Sequence, residues 1–238
     1  LKYEGTNDNL TKAQYLEMIA AVVSLCKGSM EQGRALAWNI GVSPKTYHGD
    51  QYNVIGSIGM EFYRQYVWKK AGVPVPSFYR TEKKAVARNI HSNYTHEMVL
   101  IFSNGAMGHG GGININFKLQ HDVFEIGQAR STVDVPAGDS VSGDSNLDTR
   151  ASKGHPAVFP VELPEVFIQN YTAKGETVLD PFIGTGSTLI AAEKLGRKCI
   201  GIEKSPRYCD IIISRVVRWY QANDIPAEVK INGKAYSV

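Results

Sequence analysis

The chain has few cysteines and no long apolar run. Its three cysteines, Cys26, Cys199 and Cys209, have a spacing that fits neither a zinc site nor a disulfide framework. No apolar stretch approaches the length of about 20 residues that a membrane-spanning helix needs, and no signal peptide opens the sequence. We therefore expect a soluble protein of a reducing compartment, with no membrane partner and no bound metal.

Neither sign of charge predominates, because the chain has 26 basic and 23 acidic residues and a formal net charge of +3. The net charge of the whole protein therefore does not indicate whether it binds nucleic acid. One stretch, from 69 to 96, differs because it interleaves aromatic rings with basic residues and has the single acid Glu82. Basic groups neutralise phosphates and rings stack on bases, although such a stretch is by itself more often a solvated surface. Its basic members are Lys69, Lys70, Arg80, Lys83, Lys84 and Arg88.

The informative stretch is a strand, turn, helix and strand pattern from 177 to 203. Thr177–Asp180 is a short apolar run that ends in a carboxylate, and the glycines of 184–186 let the backbone turn and approach a ligand closely. Residues 188–195 have helical spacing, and 199–202 is a second buried strand that ends at Glu203. The pattern predicts the nucleoside-binding half of a doubly wound sheet, whose ligands lie at the carboxyl ends of the strands.

Details of the turn decide which nucleoside is expected. A dinucleotide fingerprint needs a small residue where this chain has Leu189, and no phosphate-binding P-loop motif is present. Glu203 follows Asp180 by 23 residues, near the spacing at which an acid accepts both ribose hydroxyls. A turn without a phosphate clamp, followed by a ribose acid, favours S-adenosylmethionine, which has a ribose but no phosphate.

Residues 180–188, Asp-Pro-Phe-Ile-Gly-Thr-Gly-Ser-Thr, resemble the S-adenosylmethionine motif of amino-methylating DNA methyltransferases. The resemblance continues through 196–197, 201–203 and 205–208, and upstream through 155–164. A cofactor motif near the C-terminus is the arrangement of the β group, which methylates cytosine N4 or adenine N6 in restriction–modification systems. It implies an α/β Rossmann-like methyltransferase fold, a doubly wound, mostly parallel sheet with a loop-rich target-recognition insertion.

The resemblance also implies S-adenosylmethionine as the cofactor and gives roles to individual residues. Residues 155–160 belong to the segment that packs over its methionine end. Asp180 would hold the ammonium group or order the turn, Glu203 would grip the ribose, and Phe182 would pack near the adenine. The expected cofactor-binding residues are His155, Phe159, Pro160, Asp180, Phe182, Gly184, Thr185, Gly186, Ser187 and Glu203.

The catalytic tetrapeptide of the family, Asp/Ser/Asn-Pro-Pro-Tyr/Phe, is missing, because the chain has no Pro-Pro pair. In the β group it would lie a few residues before Lys2, so we expect a fragment of a longer protein. A natural loss of the motif, in a catalytically silent DNA-binding relative, is the alternative. The catalytic residues are unknown on either interpretation.

The implied domains are a catalytic half at 1–104, a target-recognition region with a flexible loop at 105–152, and a cofactor-binding half at 153–238. Double-stranded DNA is the implied partner, with the six basic residues as expected contacts. A homodimer and a cognate restriction endonuclease stay open as further partners. The cytoplasm of a bacterium, an archaeon or a phage-infected cell is the expected location.

The expected function is site-specific methyl transfer from S-adenosylmethionine to the exocyclic amine of a flipped base. Residues 155–160 read His-Pro-Ala-Val-Phe-Pro, whereas adenine enzymes commonly carry His-Pro-Thr-Gln-Lys-Pro, so cytosine N4 is favoured over adenine N6. A methyltransferase of RNA or of a small molecule is a further alternative. The long loop and the basic stretch argue against a small substrate.

Periodicity and capping residues predict the remaining elements. We expect a helix over 11–27 that begins at a Thr11–Gln14 capping box and stops at Gly28. A strand over 34–40, a helix over most of 51–71, a buried strand over 98–102 and a hairpin within 113–128 follow. The last helix begins after Ser205 with Pro206 in its first turn, and its buried face is predicted to comprise Cys209, Ile212, Val216 and Tyr220.

Overall fold

Five helices and eight strands make up the part of the chain that the computed structural model describes, residues 10–41, 47–71, 96–107, 121–127, 159–226, 230–231 and 234–235. The helices are α1 (Lys12–Ser29), α2 (His48–Ser57), α3 (Glu162–Tyr171), α4 (Ser187–Lys194) and α5 (Pro206–Ala222). The strands are β1 (Ala35–Ile40), β2 (Glu61–Ala71), β3 (His96–Ser103), β4 (Val123–Gly127), β5 (Thr177–Asp180), β6 (Lys198–Gly201), β7 (Lys230–Ile231) and β8 (Lys234–Ala235). None of the described helices has the length and apolar character needed to cross a bilayer.

Strands β1, β3, β2 and β4 form a four-stranded sheet in that order. Strand β3 is antiparallel to both of its neighbours, and β2 pairs in parallel with β4. Successive side chains of a strand point to opposite faces, so Val99 and Ile101 enter one core while Leu100 and Phe102 enter another. The strand predicted over 98–102 is thus confirmed and is buried on both faces, and β1 confirms the strand predicted over 34–40.

Helices α1 and α2 cover one face of this sheet, with Ile19, Val23 and Ile55 fully buried. The predicted capping box begins α1: Thr11 Oγ1 accepts the N–H of Gln14 at 3.3 Å, and Gln14 Oε1 accepts the N–H of Thr11 at 3.0 Å. The predicted stop at Gly28 is wrong, because the helix runs on to Ser29. An isolated glycine near a helix end is tolerated at modest cost and does not by itself end the helix.

Helix α3 covers the other face of the four-stranded sheet and also packs against the elements around β5 and β6. Leu163, Val166 and Phe167 pack against the aromatic side chains of β2 and β4. Val161, which precedes the helix, and Ile168 pack instead against α4 and α5. A single helix therefore contributes to the core of the four-stranded sheet and to the core around β5 and β6.

The prediction of a helix over most of 51–71 is wrong. Helix α2 ends at Ser57, Gly59 turns the chain with a φ of 81°, and β2 occupies the remainder. Tyr66 and Trp68 are buried and Lys69 is exposed, which is the period of two that a strand requires. Aromatic and β-branched residues favour such a pleated surface, and the Trp68 indole N–H donates to the carbonyl of Ile126 in β4 at 3.0 Å.

One strand of the predicted 113–128 hairpin lies among the described residues. This strand, β4, pairs in parallel with β2, and residues 113–120 and 128 lie outside the described part. The predicted target-recognition region, 105–152, lies mostly outside it as well. The domain boundaries therefore stay a prediction.

Helix α5 begins as predicted, after Ser205 and with Pro206 in its first turn. The four residues of its predicted buried face, Cys209, Ile212, Val216 and Tyr220, are each half-buried, and Val216 and Tyr220 pack against the core around α4. The residues of this helix that are fully buried, Arg215, Val217 and Trp219, were not predicted. An apolar pattern does not reveal Arg215, whose hydrogen-bond acceptors lie in the interior.

Strands β5 and β6 pair in parallel, and two contacts align β5 with β1. Arg34, which precedes β1, forms an ion pair of 2.7 Å with Glu176, which precedes β5. The ring of Trp38, late in β1, lies 6.3 Å from the ring of Phe182, just after β5. Both strands therefore run in the same direction, and the carboxyl ends of β1, β2, β5 and β6 lie at one edge of the fold, here called the carboxyl edge.

Candidate cofactor site

The turn between β5 and α4 brings the predicted glycines together at the carboxyl edge. Gly184 and Gly186 have φ angles of 54° and 85°, in the left-handed region that favours glycine. A Cβ added at Gly186 would lie 3.3 Å from two side-chain carbons of Ile212 in α5. Both the backbone shape and the close approach of α5 therefore call for glycine at position 186.

The backbone N–H groups of this turn bond within the protein. A phosphate-binding loop directs such groups at its ligand, whereas here four of them point to internal acceptors. These bonds are Phe182 N–H to Asp180 Oδ1 at 2.9 Å, Ile183 N–H to Ile202 O at 3.2 Å, Gly184 N–H to Glu203 Oε2 at 3.1 Å and Gly186 N–H to Ile183 O at 2.8 Å. The geometry therefore fits a ligand that presents no phosphate to this turn.

Glu203 follows β6, and its carboxylate connects two segments of backbone. Its Oε2 accepts the N–H of Gly184 at 3.1 Å, and its Oε1 accepts the N–H of Ser205 at 2.8 Å. Each carboxylate oxygen has two lone pairs, so each retains capacity for a further donor. The half-buried carboxylate is thus oriented by the protein and can accept the two hydroxyls of a ribose.

Asp180 orders the turn, which is one of the two roles expected for it. Its Oδ1 accepts the N–H of Phe182, and its backbone carbonyl accepts the N–H of Ile202 at 2.9 Å. Its charge also reaches two thiols. Burial raises the pKa of Cys199 to about 12, with the negative charge of Asp180 adding to the shift, and the same two causes raise the pKa of Cys26.

Exposed apolar side chains occur in the two segments that the Glu203 carboxylate connects. Phe182 is 49% exposed and contacts Trp38 edge to face, and Ile202 is 57% exposed. Ile202 is the residue before Glu203, and its backbone is hydrogen-bonded to Asp180, at the end of β5, and to Ile183, within the turn. An aromatic ring and an aliphatic side chain beside a ribose acceptor can pack against a flat base.

Thr185 and Ser187, both predicted to bind the cofactor, are buried and bonded on the protein side of the turn. Ser187 Oγ donates to the carbonyl of Phe159 at 3.0 Å. The carbonyl and the hydroxyl of Thr185 accept from Arg215 Nη1 at 2.6 Å and 3.0 Å. These contacts hold the turn in place, and direct contact of the two residues with the cofactor stays a prediction.

The upstream segment lies partly among the described residues. His155 lies outside them, whereas Phe159 and Pro160 immediately precede α3. The bond from Ser187 to the carbonyl of Phe159 joins this segment to the first residue of α4. This contact brings Phe159 close to the glycine turn, and contact of Phe159 and Pro160 with the cofactor stays a prediction.

Two of the six predicted DNA contacts are described, and both lie in β2 near the carboxyl edge. Lys69 pairs with Glu125 at 2.6 Å, with side chains that are 59% and 50% exposed. Lys70 pairs with Glu97 and is largely buried, with its ammonium 5.2 Å from the centre of the Trp68 ring. An exposed ion pair contributes little, so Lys69 is the more available of the two. Outside the described residues lie Arg80, Lys83, Lys84 and Arg88.

Two buried arginines were missed by reasoning from the sequence. Arg197 donates to the carbonyl of Leu195 and to both oxygens of Thr172. Arg215 donates to Thr185. A signal existed for Arg215, since it lies in α5 between the apolar runs 211–213 and 216–217. No group of three or more acidic, His or Cys side chains that could hold a metal ion occurs among the described residues.

Several known proteins are similar to this chain in sequence. A family model described as DNA methylase, for enzymes that methylate N6 and N4, matches residues 1–214. The type II methyltransferase M.BglI of Bacillus subtilis is 40% identical over 89 residues, which are 37% of this chain and 25% of that protein. The orphan methyltransferase M.BamHII of Bacillus amyloliquefaciens is 40% identical over 92 residues, 39% of this chain and 32% of that protein. The matched part thus spans a quarter to a third of these relatives.

Solved structures share the fold. The cytosine-N4-specific PvuII DNA methyltransferase aligns with a TM-score of 0.68 and 21% identity over 90% of this chain and 75% of that chain. The complex of M1.HpyAVI with S-adenosylmethionine aligns with a TM-score of 0.55 and 16% identity over 84% of this chain and 82% of that chain. The predicted α/β methyltransferase fold is thereby confirmed. Since the family model covers 214 of the 238 residues, the chain belongs to the N6/N4 DNA methylase family.

Proposed function

We propose that this protein is a site-specific DNA methyltransferase that transfers a methyl group from S-adenosylmethionine to the exocyclic amine of a flipped base. The observation that carries the proposal is the bond between Gly184 N–H and Glu203. This bond orients a carboxylate beside the glycine turn. In addition, none of the N–H groups of 182–184 and 186 is directed at a phosphate. DNA as the substrate is supported by membership of the DNA methylase family.

The described residues fit S-adenosylmethionine, which when bound supplies an electrophilic methyl group on its sulfonium. Glu203 has a lone pair on each oxygen for the two ribose hydroxyls. Phe182 and Ile202 offer apolar surface for the adenine. Gly184 and Gly186 let the backbone approach closely, because neither has a Cβ. M1.HpyAVI, whose fold is similar, has been solved with this cofactor.

The base would have to leave the duplex to reach this site, since its amino group is otherwise paired, and unstacking costs about a few kcal/mol. The amine is a weak nucleophile because its lone pair is delocalised into the ring. In the family, the tetrapeptide supplies oxygen acceptors that stabilise the positive charge that builds on the amine. That tetrapeptide is not among the 238 residues, so the present chain contributes the cofactor half of the site.

We propose cytosine N4 as the target, with adenine N6 as the alternative. The Phe159-Pro160 version of the upstream segment supports cytosine, because it is more usual among members with a serine-type tetrapeptide, many of which modify cytosine. The fold similarity to a cytosine-N4-specific enzyme agrees with this choice. We further propose a cytoplasmic location, a homodimer and a cognate restriction endonuclease; the relatives include type II enzymes.

Lys69 is proposed as a phosphate contact, because it is exposed near the carboxyl edge and its partner Glu125 is equally exposed. K69Q should weaken binding to all duplex sequences alike and reduce the slope of log K against log[salt] by about 1. The matched control is K198Q. It removes an exposed lysine at the amino end of β6, away from the carboxyl edge. Equal effects of the two substitutions would show a nonspecific charge effect and remove Lys69 from the interface.

Methyl transfer is tested with the protein expressed from its intact gene, because reading the gene upstream of Leu1 also shows whether a catalytic tetrapeptide is encoded there. The protein is incubated with tritiated-methyl S-adenosylmethionine and with duplex DNA or RNA, and the product nucleosides are identified by mass spectrometry. We expect N4-methyldeoxycytidine. N6-methyldeoxyadenosine would support the alternative target, and methylation of RNA alone would overturn the DNA assignment. Binding of both ligands without transfer would identify a catalytically silent relative.

A further inference from the structure

We propose that Arg215 is a positioning residue for the cofactor turn, acting through Thr185. The proposal rests on the proposed function, because it assumes that the glycine turn holds S-adenosylmethionine. Arg215 lies on α5, 12 residues after Glu203, and belongs to none of the expected cofactor contacts. Its position is set by the packing of α5 beneath the turn.

The guanidinium of Arg215 is buried directly behind the turn. The residue is 5% exposed, and its Nη1 donates to the carbonyl of Thr185 at 2.6 Å and to the hydroxyl of Thr185 at 3.0 Å. Its Nε is buried and has no hydrogen-bond partner among the described residues. All of its hydrogen bonds to described residues therefore go to one residue of the cofactor turn.

This buried charge is held by neutral oxygens. Burial lowers the pKa of Arg215 to about 10, so the side chain is still a cation at neutral pH. Burial of a cation without an opposite charge is costly compared with an apolar side chain of similar size. An arginine at this position therefore destabilises the isolated fold relative to methionine unless its bonds to the turn compensate, which points to a role in shaping the turn.

Helix α5 supports the turn at two adjacent points. Ile212 lies against Gly186, where an added Cβ would be 3.3 Å away, and Arg215 holds Thr185. Residues three apart share one face of a helix. The same face of α5 therefore packs the apolar side chain of Ile212 against the turn and donates the two hydrogen bonds of Arg215 to it. At the preceding residue, Glu203 accepts the N–H of Gly184. Each of the three consecutive residues of the turn thus has a contact that fixes it.

The fixed turn should matter for binding the cofactor and not for the transfer step. Arg215 acts from behind the turn, so its loss would let residues 184–186 sample other conformations in the free protein. Binding of the cofactor would then have to select the one conformation that fits it, which weakens the apparent affinity for the cofactor. Once the cofactor is bound, the turn is held by it, and the rate of methyl transfer at saturation should change little.

The test compares R215M with R197M in the full natural protein. Arg197 is a matched control, because it is also buried and also donates to backbone carbonyls and a threonine, but at Leu195 and Thr172, away from the turn. We expect R215M to raise the Kd for S-adenosylmethionine by about tenfold, as loss of a charge-assisted bond implies. R197M should change it by less than about twofold when measured at a temperature where both variants are folded.

Three further measurements separate positioning from general stability. R215M should raise the KM for the cofactor with kcat nearly unchanged, and R215K, which keeps the charge and an N–H donor group but not the planar guanidinium, should recover part of the affinity. T185V removes one of the two acceptors, so its effect and that of R215M should be less than additive. If R215M does not fold, T185V and R215K supply the same comparison.

The outcomes distinguish this proposal from the proposed function. If the unsubstituted protein does not bind S-adenosylmethionine, the proposed function fails. If it binds and R215M binds equally well, Arg215 has no positioning role. Equal loss of affinity in R215M and R197M, in proportion to their loss of thermal stability, would also overturn the proposal.

Discussion

The carboxylate of Glu203 accepts the backbone N–H of Gly184 at 3.1 Å, which joins the end of β6 to the turn that follows β5. The same carboxylate accepts the N–H of Ser205 at 2.8 Å. The same carboxylate is therefore the proposed ribose acceptor and the group that shapes the backbone over which the cofactor would lie. This double role makes Glu203 the most informative position to substitute.

Glu203→Ala should weaken binding of S-adenosylmethionine by roughly 1–3 kcal/mol, through loss of charge-assisted hydrogen bonds. It should also lower the thermal midpoint, because Gly184 and Ser205 lose their acceptor. Calorimetric titration measures the affinity, and Glu17→Ala, on the exposed side of α1, is the control. Unchanged affinity in Glu203→Ala would remove Glu203 from the site.

Gly186→Ala should destabilise the fold by about 1–2 kcal/mol or more, because its φ of 85° is strained for any residue with a Cβ. The new Cβ would also press on Ile212 at 3.3 Å. Gly28→Ala is the matched control, since Gly28 lies in α1 and an added Cβ meets nothing within 4 Å. There we expect a gain of about 0.5–1 kcal/mol. Urea unfolding would contradict this account if both variants shifted in the same direction.

The local part of the site could be predicted from the sequence because its signals are local. A glycine turn between two short apolar runs predicts β5, α4 and β6 to within about a residue, and the spacing from Asp180 places Glu203 at the end of β6. The support behind the turn could not be predicted in this way. Arg215 binds Thr185 from 30 residues away in sequence, and only the packing of α5 brings them together.

Strand β2 was missed for the same physical reason. Its residues follow α2 closely, and their aromatic pattern on its own permits either a helix or a strand. What decides is burial against distant partners, since the ring of Tyr66 packs 5.6 Å from that of Phe167 in α3. Tertiary packing commonly overrides local propensity in this way. The expected DNA contacts rest on a charged stretch of sequence alone, and most of that stretch lies outside the described residues.

Cys26 and Cys199 should react slowly with iodoacetamide in the folded protein. Burial raises the pKa of both thiols, that of Cys199 to about 12, and the charge of Asp180 adds to the shift. The thiolate is the reactive form, so at pH 8 Cys199 should be almost fully protonated, and Cys26 should be more protonated in the folded than in the unfolded protein. Mass spectrometry of each cysteine-containing peptide measures the rates, with protein unfolded in urea as the reference. Equal rates in the folded and unfolded protein would contradict the burial of these thiols.

Glu176 should give the fold a pH-dependent contribution to stability. It accepts the N–H of Ala173 at 2.7 Å and pairs with Arg34 at 2.7 Å, and these contacts lower its pKa despite burial, the bond from Ala173 being the largest cause. A pKa that is lower in the folded than in the unfolded state stabilises the fold above the unfolded value, about 4.3. That contribution is lost as pH falls through the folded value.

Glu176→Gln removes the ionised partner, so the difference in free energy of unfolding between the natural protein and this variant should be largest near neutral pH. It should shrink as the pH falls below the ordinary range of a glutamate, since both side chains are then uncharged. Urea titrations at a series of pH values measure the difference, and Glu17→Gln, an exposed change in α1, is the control. A difference that stayed constant with pH would mean that Glu176 acts through packing alone, and the ion pair that aligns the starts of β1 and β5 would then contribute nothing to stability.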